Sequence, residues 1–262
     1  MTNKNVTKKS KAQKPKAPLL AAKKICVSYD EKKVLSNISF NVSAGEVYGL
    51  IGLNGAGKTS FIKVLLGLLQ QDAGQISIYG NSVKDPGVKR KLVSLPEKFE
   101  PPHFLTGREF VRFALSLYSN DVTDEQIDKS ARHLALDTAA LDRQARYYSK
   151  GMKQKIGLMS CFLTDCPLIV LDEPMSGLDP LARMRVKQQV DFAKKSGRTV
   201  FFSSHILADI DEICDKIAVI DEGLLKFEGT PKMLKNKSQE TILENAFLKI
   251  IDKYEPAGRN AA

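Results

Sequence analysis

Residues 46–60, EVYGLIGLNGAGKTS, carry the most informative pattern in the chain. A short apolar run leads into a loop with the spacing Gly-x-x-x-x-Gly-Lys-Thr. After the loop, apolar residues recur every three or four positions from Phe61 to Leu69, which predicts a helix. A strand, a glycine-rich loop and a helix in this order are the context in which the spacing indicates a phosphate-binding loop.

The loop offers the groups that bind phosphate. Glycines let the backbone curve tightly, so that several N–H groups converge on one anion. The helix that follows adds the positive end of its dipole. We predict that Lys58 reaches the β- and γ-phosphates of a nucleotide and that the hydroxyl of Thr59 binds Mg²⁺. The residues predicted to contact the nucleotide are Gly52, Leu53, Asn54, Gly55, Ala56, Gly57, Lys58, Thr59 and Ser60.

A second motif, LIVLDEP at residues 168–174, ends an apolar run with two acids. Ligands of open α/β sheets bind at the carboxyl ends of the strands, where Asp172 and Glu173 would lie. Asp172 is predicted to hold Mg²⁺, and Glu173 to act as a general base on the water that attacks the γ-phosphate. The alternative is a solvent-facing acidic loop, but the phosphate loop in the same chain favours the catalytic interpretation.

A histidine, His205, follows the next apolar run, TVFFSS at residues 199–204. The end of that strand would reach the same sheet edge, so the imidazole is predicted to hydrogen-bond the γ-phosphate and the attacking water. Together with the loop lysine and Glu173, it completes the predicted catalytic set. His103 and His133 lack such a position and are interpreted as incidental.

The rest of the chain alternates strand and helix signals, which predicts an α/β fold. We predict a P-loop NTPase core with a mixed, largely parallel sheet, an N-terminal antiparallel β segment and a helical insertion subdomain at about residues 98–158. The segment QETILENAFLKII, residues 239–251, is predicted to form one amphipathic helix.

The composition fits a globular protein. Hydrophobic residues make up 43% and charged residues 27% of the chain, and no apolar run approaches the roughly 18 residues that span a bilayer. The N-terminus lacks the apolar core of a secretory signal, so we expect a cytoplasmic protein. The four cysteines have no CxxC spacing, which predicts free thiols in a reducing compartment.

The formal net charge of +10 comes mainly from the N-terminus. Residues 1–24 contain eight lysines and no acid, so the remainder carries 10 − 8 = +2. With few apolar residues, positions 1–18 are predicted to form a disordered basic tail. This tail is either simply solvated or weakly attracted to anionic lipid, by about 1 kcal/mol per lysine. No aromatic residues interleave the lysines, so nucleic acid is not an expected partner.

Five motifs occur in one order: GLNGAGKTS, LPEK, YSKGMKQK, LDEPMSGLDP and FFSSH. Together they are highly specific, and over about residues 20–235 the chain resembles the nucleotide-binding domain of ATP-binding cassette (ABC) transporters. The resemblance implies an ATPase domain at residues 19–236, followed by a C-terminal helix and polar end at residues 237–262. It also implies ATP as the bound nucleotide and Mg²⁺ as its metal ion.

The resemblance assigns roles to residues outside the phosphate loop. Tyr29 matches the aromatic residue that stacks on adenine, although its position also suits an ordinary strand tyrosine. Ser149, Lys150 and Gly151 lie at the family's signature loop, which binds the ATP of a second subunit. Asp179 matches the loop that crosses to that subunit.

Two motifs depart from the family pattern. Glu97, in LPEK, stands where glutamine is usual; its carboxylate offers oxygen to Mg²⁺ and water but adds negative charge beside the phosphates. In the signature loop, Lys150 replaces a glycine and Met152 a glutamine, while Ser149 and Gly151 retain hydroxyl and N–H donors at a helix start. This variant resembles the separate-chain ATPases that drive exporters of drugs, lipids or other hydrophobic compounds.

The implied mechanism is a sandwich of two ATPase subunits with two ATP molecules between them, docked on a separately encoded integral membrane permease. The chain would pair with a second copy of itself or a related subunit, on the inner face of the cell membrane. Two other functions stay open: a soluble ABC ATPase that acts on ribosomes or DNA, and a binding module that closes on ATP without turnover. The single cassette argues against the first, and the intact catalytic residues argue against the second.

Overall fold

The structure, a computed structural model, describes residues 17–252. Within this range the chain forms ten strands, nine α-helices and two short 3₁₀ helices. The strands are β1 (Leu20–Tyr29), β2 (Lys32–Val42), β3 (Val47–Ile51), β4 (Ala73–Ile78), β5 (Asn81–Ser82), β6 (Leu92–Leu95), β7 (Leu168–Asp172), β8 (Thr199–Ser204), β9 (Lys216–Asp221) and β10 (Leu224–Gly229). The α-helices are α1 (Lys58–Leu65), α2 (Pro86–Lys89), α3 (Gly107–Ser116), α4 (Asp124–His133), α5 (Lys150–Leu163), α6 (Pro180–Lys195), α7 (Leu207–Ile213), α8 (Pro231–Ser238) and α9 (Leu243–Ile250). The 3₁₀ helices are Thr138–Asp142 and Ala145–Tyr147.

The strands form two sheets. The first has the order β2-β1-β4-β5 with antiparallel neighbours. The second has the order β10-β9-β3-β8-β7-β6 and is parallel except for β10, which runs antiparallel to β9. This confirms the predicted α/β fold with its largely parallel sheet and N-terminal antiparallel segment.

The central strands are buried along their whole length. Every residue of β3 (VYGLI), β7 (LIVLD) and β8 (TVFFSS) is buried. Parallel strands that are covered on both faces need such continuous apolar runs. Because β3, β8 and β7 are parallel neighbours, their carboxyl ends meet at one edge of the sheet. The segments that follow these three strands are therefore brought together.

The two faces of the parallel sheet pack against different layers. One face contacts helices α3 to α9, and the other contacts α1 and the N-terminal sheet. In the second layer, five of the six ring pairs among Phe40, Tyr48, Phe61 and Phe201 have centroids 4.9–6.2 Å apart. Such aromatic pairs contribute about 0.5–1.5 kcal/mol each beyond their buried area. Since Phe61 belongs to α1, this packing fixes the helix that follows the phosphate loop.

The helical segment lies between β6 and β7. Helices α3 and α4 each begin with a capping box, Thr106 with Glu109 and Thr123 with Gln126. In this motif two side chains satisfy free N–H groups of the first turn. Helix α5 then runs past the predicted limit of the insertion and ends at Leu163, because its apolar residues continue into the core.

The prediction of one C-terminal helix over residues 239–251 is wrong in extent. Helix α9 covers only Leu243–Ile250 and is preceded by α8, which no sequence pattern indicated. Gln239 ends α8 with φ 56°, a left-handed conformation that cannot continue a right-handed helix. Ile242 is extended and starts α9 afresh. Two short helices therefore occupy the C-terminal region.

Two predictions concern residues outside the described range. The disordered tail predicted for residues 1–18 falls almost entirely on residues 1–16, and the polar C-terminal end begins at residue 253; neither segment is described. Within residues 17–252, no helix has both the length and the apolar character needed to cross a membrane.

The four cysteines are free, as expected. Cys161 and Cys166 are buried. Burial raises the pKa of the Cys161 thiol to about 12. A thiol with so high a pKa is protonated near neutral pH, so Cys161 is a packing residue rather than a nucleophile.

Candidate nucleotide-binding site

A cleft of about 650 Å³ opens at the carboxyl edge of the parallel sheet. Most of the residues predicted to bind nucleotide or to act in catalysis line it. Gly52, Ala56 and Asp172, also predicted, are buried in the same loop and strand end. The lining residues are Val34, Leu53, Asn54, Gly55, Gly57, Lys58, Thr59, Ser60, Glu97, Lys98, Glu173, Ser176 and His205.

Two glycines of the loop are required by close packing. A Cβ at Gly52 would lie 2.3 Å from the carbonyl oxygen of Ile220, and one at Gly57 would lie 2.6 Å from Leu35 Cδ2. Gly57 also has φ 109°, which side-chain-bearing residues rarely adopt. Behind the loop, the turn between β9 and β10 donates an N–H to the Ala56 carbonyl at 3.2 Å. The loop is therefore held as a curved cradle by its surroundings.

Lys58 begins α1, and its ammonium group is buried. Its Nζ lies 2.8 Å from the Gly52 carbonyl oxygen, 3.4 Å from that of Leu53 and 3.5 Å from Glu173 Oε1. A buried ammonium needs such partners, because desolvation of an unpaired charge is costly. The two hydroxyl residues that follow Lys58 in the first turn line the same cleft.

The two acids at the end of β7 are buried. The Ser203 hydroxyl on β8 donates to Asp172 Oδ1 at 2.5 Å and accepts the Glu173 N–H at 3.0 Å. Glu173 leaves the strand with φ 49°, a left-handed conformation that is uncommon for non-glycine residues. Its Oε2 lies 2.8 Å from His205 Nδ1, and its Oε1 faces Lys58. Lys58, Glu173 and His205 thus form one contiguous polar chain beside Asp172.

The residues present fit a magnesium nucleotide. Glu173 Oε1 is buried and has no hydrogen-bond partner among the described residues, so the carboxylate retains an acceptor in the cleft. Mg²⁺ prefers oxygen ligands and is usually held by one or two protein groups together with phosphates and water. Asp172, Thr59 and Glu97 offer such oxygens. Within residues 17–252, no group of three or more His, Cys, Asp or Glu side chains could hold a metal by itself.

A second cleft adjoins the first and contains Tyr29. The two clefts share Val34 and Gly55. Tyr29 is 43% exposed, and its Oη lies 3.5 Å from Ser60 Oγ. The structure therefore places an accessible aromatic ring beside the phosphate loop.

The predicted signature and crossing residues, Ser149, Lys150, Gly151 and Asp179, line neither cleft. Ser149 is the exposed N-cap of α5 and accepts a backbone N–H of that helix at 3.3 Å. Asp179 is the exposed N-cap of α6, and a hydrogen bond from a backbone N–H of α6 lowers the pKa of its carboxyl. The two helix starts are adjacent, since a Cβ at Gly151 would lie 3.3 Å from the Gly177 carbonyl oxygen. They form one exposed surface.

The departures from the family pattern each have a structural setting. Met152 is partly buried and packs against the hydrophobic core. Lys150 lies over Gly177, where an added Cβ would be 3.3 Å from the lysine Cδ. Glu97 is exposed and lines the first cleft, as the resemblance implies.

Three contacts at the site were not predicted from the sequence. Ser203 joins both acids, Gln154 Nε2 donates to the Pro174 carbonyl at 3.1 Å, and Lys155 Nζ lies 3.7 Å from an Asp179 carboxylate oxygen. The sequence did contain a signal for Ser203. It stands two residues before His205, so it could have been predicted to lie at the same carboxyl edge of the sheet. The contacts of Gln154 and Lys155 depend on how α5 packs, which no local pattern indicates.

The fold and the cleft define a P-loop nucleotide-binding protein. A family profile described as ABC transporter matches residues 35–176, more than half of the chain. The chain therefore belongs to the ABC transporter family of ATP-binding proteins.

Relatives and solved structures agree with this family. An uncharacterized ABC transporter ATP-binding protein of Synechocystis is 37% identical over 84% of this chain and 64% of its own length. The chain thus spans less than two thirds of that relative. The Nod factor export ATP-binding protein I of Burkholderia pseudomallei is 32% identical over 79% of this chain and 69% of its own length.

Among solved structures, an ATP-binding subunit of an ABC transporter has a TM-score of 0.82 and 32% identity, and the match covers 88% of this chain and 99% of that one. A dimeric ATP-binding cassette in a post-hydrolysis state with ADP and Pi has a TM-score of 0.73 at 18% identity, over 80% of this chain and 98% of that one. The second similarity is one of fold.

Proposed function

We propose that this chain binds and hydrolyses ATP as the nucleotide-binding subunit of an ABC transporter, whose transport path is formed by a separate integral membrane chain. The observation that carries the proposal is the contiguous set Lys58, Glu173 and His205 beside the buried Asp172. It joins a phosphate-binding cation to a general base within one cleft. A protein that only binds nucleotide needs the cation but not the base.

The chemical step follows from these side chains. The loop N–H groups and Lys58 bind the β- and γ-phosphates. Glu173 accepts a proton from water as the water oxygen attacks the γ-phosphorus; the bond from this phosphorus to the β–γ bridging oxygen breaks, and ADP and phosphate leave. His205 Nδ1 donates to the Glu173 carboxylate and orients it. Its Nε2 accepts a hydrogen bond from the attacking water when the ring is neutral, and donates to the γ-phosphate when the ring is protonated.

The remaining residues of the site are proposed to hold the metal ion and the adenine ring. When bound, Mg²⁺ would neutralise charge on the phosphates, held by Asp172, Thr59 and Glu97. Tyr29 would stack its exposed ring on adenine. Stacking of this kind tolerates any nucleobase, so Tyr29 alone would not select adenine over other bases.

We assign Ser149, Lys150, Gly151 and Asp179 to the ATP of a second subunit. Ser149, Lys150 and Asp179 are exposed and Gly151 is half-buried. All four lie at two adjacent helix starts, outside both clefts of their own chain. The start of a helix presents free N–H groups and the positive dipole end to a phosphate. The second subunit is proposed to be another copy of this chain or a related ATPase.

The helical segment, residues 98–158, is proposed to contact the permease. Phe104 and Tyr147 are 61% and 59% exposed and lie on neighbouring segments joined by a backbone hydrogen bond of 3.1 Å. Exposed rings are common at contact sites. Glu97, in the cleft, directly precedes this segment, so nucleotide and permease would act on adjoining residues. The chain would then lie on the inner face of the cell membrane.

Export is the proposed direction of transport. The signature-loop variant and the similarity to a Nod factor export protein support it. The ATPase domain is proposed to cover residues 19–236, with the C-terminal helix region after it. The basic tail at residues 1–18 is proposed to contact anionic lipid at the membrane surface.

The replacement Glu173→Gln tests the hydrolytic part of this function. It keeps the shape of the side chain but removes the base, so the ATPase rate should fall by about 10²–10⁴-fold. Bound ATP should then persist and hold two subunits together, which size-exclusion chromatography with ATP would detect as a dimer. Glu125→Gln, an exposed position on α4, is the matched control and should leave the rate unchanged. A native rate in the Glu173 variant would exclude the general-base role.

The transport part is tested by the partner. Affinity purification of the full chain from detergent-solubilised membranes should recover an integral membrane protein. Recovery of ribosomes or DNA in its place would contradict the transport function and favour a soluble ABC ATPase.

A further inference from the structure

We propose that Ser203 is a positioning residue for ATP hydrolysis, because its hydroxyl holds both acids of the site in their working arrangement. This inference rests on the proposed ATPase function. Ser203 does not line the cleft. It is also not among the residues that the five sequence motifs predict to contact the nucleotide or the metal.

The contacts of Ser203 follow from strand pairing. Ser203 on β8 is the direct register partner of Asp172 on β7, at the carboxyl edge of the sheet. It is fully buried. Its Oγ is 2.5 Å from Asp172 Oδ1 and 3.0 Å from the backbone nitrogen of Glu173. One side chain therefore contacts two consecutive acids from the neighbouring strand.

The donor and acceptor roles are settled by chemistry. A hydroxyl has one proton to donate and two lone pairs to accept with. The Glu173 N–H can only donate, so Ser203 accepts from it. The Ser203 proton is then free for Asp172 Oδ1, and a hydrogen bond to an ionised acceptor is stronger and shorter than one between neutral groups. Ser203 thereby selects Oδ1 of Asp172 and leaves Oδ2 for other ligands.

The contact with Glu173 fixes a backbone conformation. Glu173 has φ 49°, and left-handed non-glycine residues persist only where the surroundings determine them. The hydrogen bond to Ser203 anchors the peptide at which β7 ends and the chain turns. The turn directs the Glu173 carboxylate to His205 at 2.8 Å and to Lys58 at 3.5 Å. If the anchor were lost, the carboxylate would no longer be held in this geometry.

The neighbouring serine has a different task. The Ser204 hydroxyl accepts the N–H of Ile206 at 3.0 Å and so shapes the turn that carries His205. The two serines at the end of β8 thus have different partners. Ser203 bonds to the two acidic residues, and Ser204 bonds to the turn that carries His205. An apolar residue at 203 would leave a buried N–H and a buried carboxylate oxygen without partners.

The test compares Ser203→Ala with the matched control Ser160→Ala. Ser160 is also buried, and its hydroxyl donates to a carbonyl of α5 at 2.7 Å, away from the cleft. Ser203→Ala should lower kcat by about 10–100-fold, since a shift of about 1 Å in a reacting group can cost about 100-fold. ATP affinity of the monomer should stay within about twofold, because the phosphate loop is intact. Ser160→Ala should leave kcat unchanged.

A second readout separates positioning from a general loss of structure. Slow hydrolysis in a folded site should make Ser203→Ala accumulate the ATP-dependent dimer, as Glu173→Gln is expected to do. Ser203→Cys, which keeps the size but bonds weakly, should show the same pattern and replaces the alanine variant if that variant does not fold. Native kcat in the Ser203 variants, or lost ATP affinity without a dimer, would overturn the inference. Wild-type protein without ATPase activity would instead overturn the proposed function.

Discussion

Lys58 is held by groups that a bound phosphate would displace. Its ammonium contacts the carbonyls of Gly52 and Leu53 and lies 3.5 Å from Glu173 Oε1. A charge-assisted N–H···O bond is usually about 2.7–2.9 Å long, so the contact with Glu173 is weak. Burial penalises both charges, and an imperfect ion pair does not fully offset that penalty. A phosphate oxygen would therefore give Lys58 a better partner and free the carboxylate for water.

Replacing Lys58 with alanine should weaken ATP binding by at least about tenfold. A hydrogen bond from a charged group contributes about 1.5–3 kcal/mol, and 1.4 kcal/mol is a factor of ten in affinity. Calorimetric titration with ATP measures the change. Lys63→Ala is the matched control, because Lys63 is exposed on the same helix and should leave the affinity unchanged. Equal affinities for the two variants would contradict the role assigned to the phosphate loop.

Individual site residues differ in how far the sequence predicts them. Asp172 ends an apolar strand and His205 follows another. The edge where parallel strands end is the expected ligand site, so the location of both residues could be predicted. The contact of Ser203 with both acids requires β8 to lie beside β7. The order of strands in a sheet is set by the whole fold, and no short pattern reveals it.

Helix α5 is tied near its start to three other parts of the chain. Lys153 pairs with Glu100 at 2.6 Å, Gln154 donates to the Pro174 carbonyl, and Lys155 donates to a carbonyl just after α4 at 2.7 Å. These contacts orient the helix, and none of them involves the exposed residues at its start. That surface can therefore serve a partner while the interior contacts hold the helix in place.

The variant Ser149→Arg should prevent dimer formation while ATP still binds to the monomer. The exposed start of α5 would carry a bulky cation where a second subunit is expected. Loss of the helix cap should cost only about 1 kcal/mol of unfolding free energy. Light scattering of the Glu173→Gln protein, with and without this change, measures dimer formation in ATP.

Thr123→Arg provides the control for the lost cap. Thr123 is also an N-cap, at the start of α4, so this variant loses a comparable contact at a different surface. It should still form the ATP-dependent dimer. If Ser149→Arg also dimerised, the signature surface would have no role at the subunit interface.

Short elements were the hardest to predict. The buried strands β7 and β8 are recognisable in the sequence as continuous apolar runs. Helix α4 is recognisable by its capping box. Helix α8, Pro231–Ser238, has the sequence PKMLKNKS and buries only Pro231 and Leu234. A helix of this length is marginal by itself and forms because tertiary packing stabilises it. Its existence therefore depends on neighbours such as α9 rather than on its own periodicity.

The candidate site lies where the two layers of the molecule meet. The phosphate loop leads into α1, which packs in the layer of the N-terminal sheet, whereas α5 belongs to the helical layer on the opposite face. Contacts from α5 to Pro174 link the helical layer to the segment that carries Glu173. If a membrane partner displaced the helical layer, this contact would transmit the movement to Glu173, the proposed general base.

The basic tail should be separable from the catalytic domain. Residues 1–18 carry six lysines and no acid, so their removal lowers the formal net charge to 10 − 6 = +4. Because β1 begins only at Leu20, deletion of these residues should leave the ATPase rate of the free chain within about twofold. The same deletion should abolish binding to vesicles rich in phosphatidylserine, since each lysine near an anionic surface contributes about 1 kcal/mol.

Salt and charge distinguish lipid attraction from other effects of the deletion. Vesicle binding of the full chain should weaken as ionic strength rises, because exposed charges are screened beyond about 8 Å at physiological salt. A full-length variant with glutamine at Lys4, Lys8, Lys9, Lys11, Lys14 and Lys16 keeps the tail length and should lose vesicle binding as the deletion does. Retained binding in that variant would place the lipid contact elsewhere. A loss of ATPase activity in the deletion would instead show that the tail contributes to the catalytic fold.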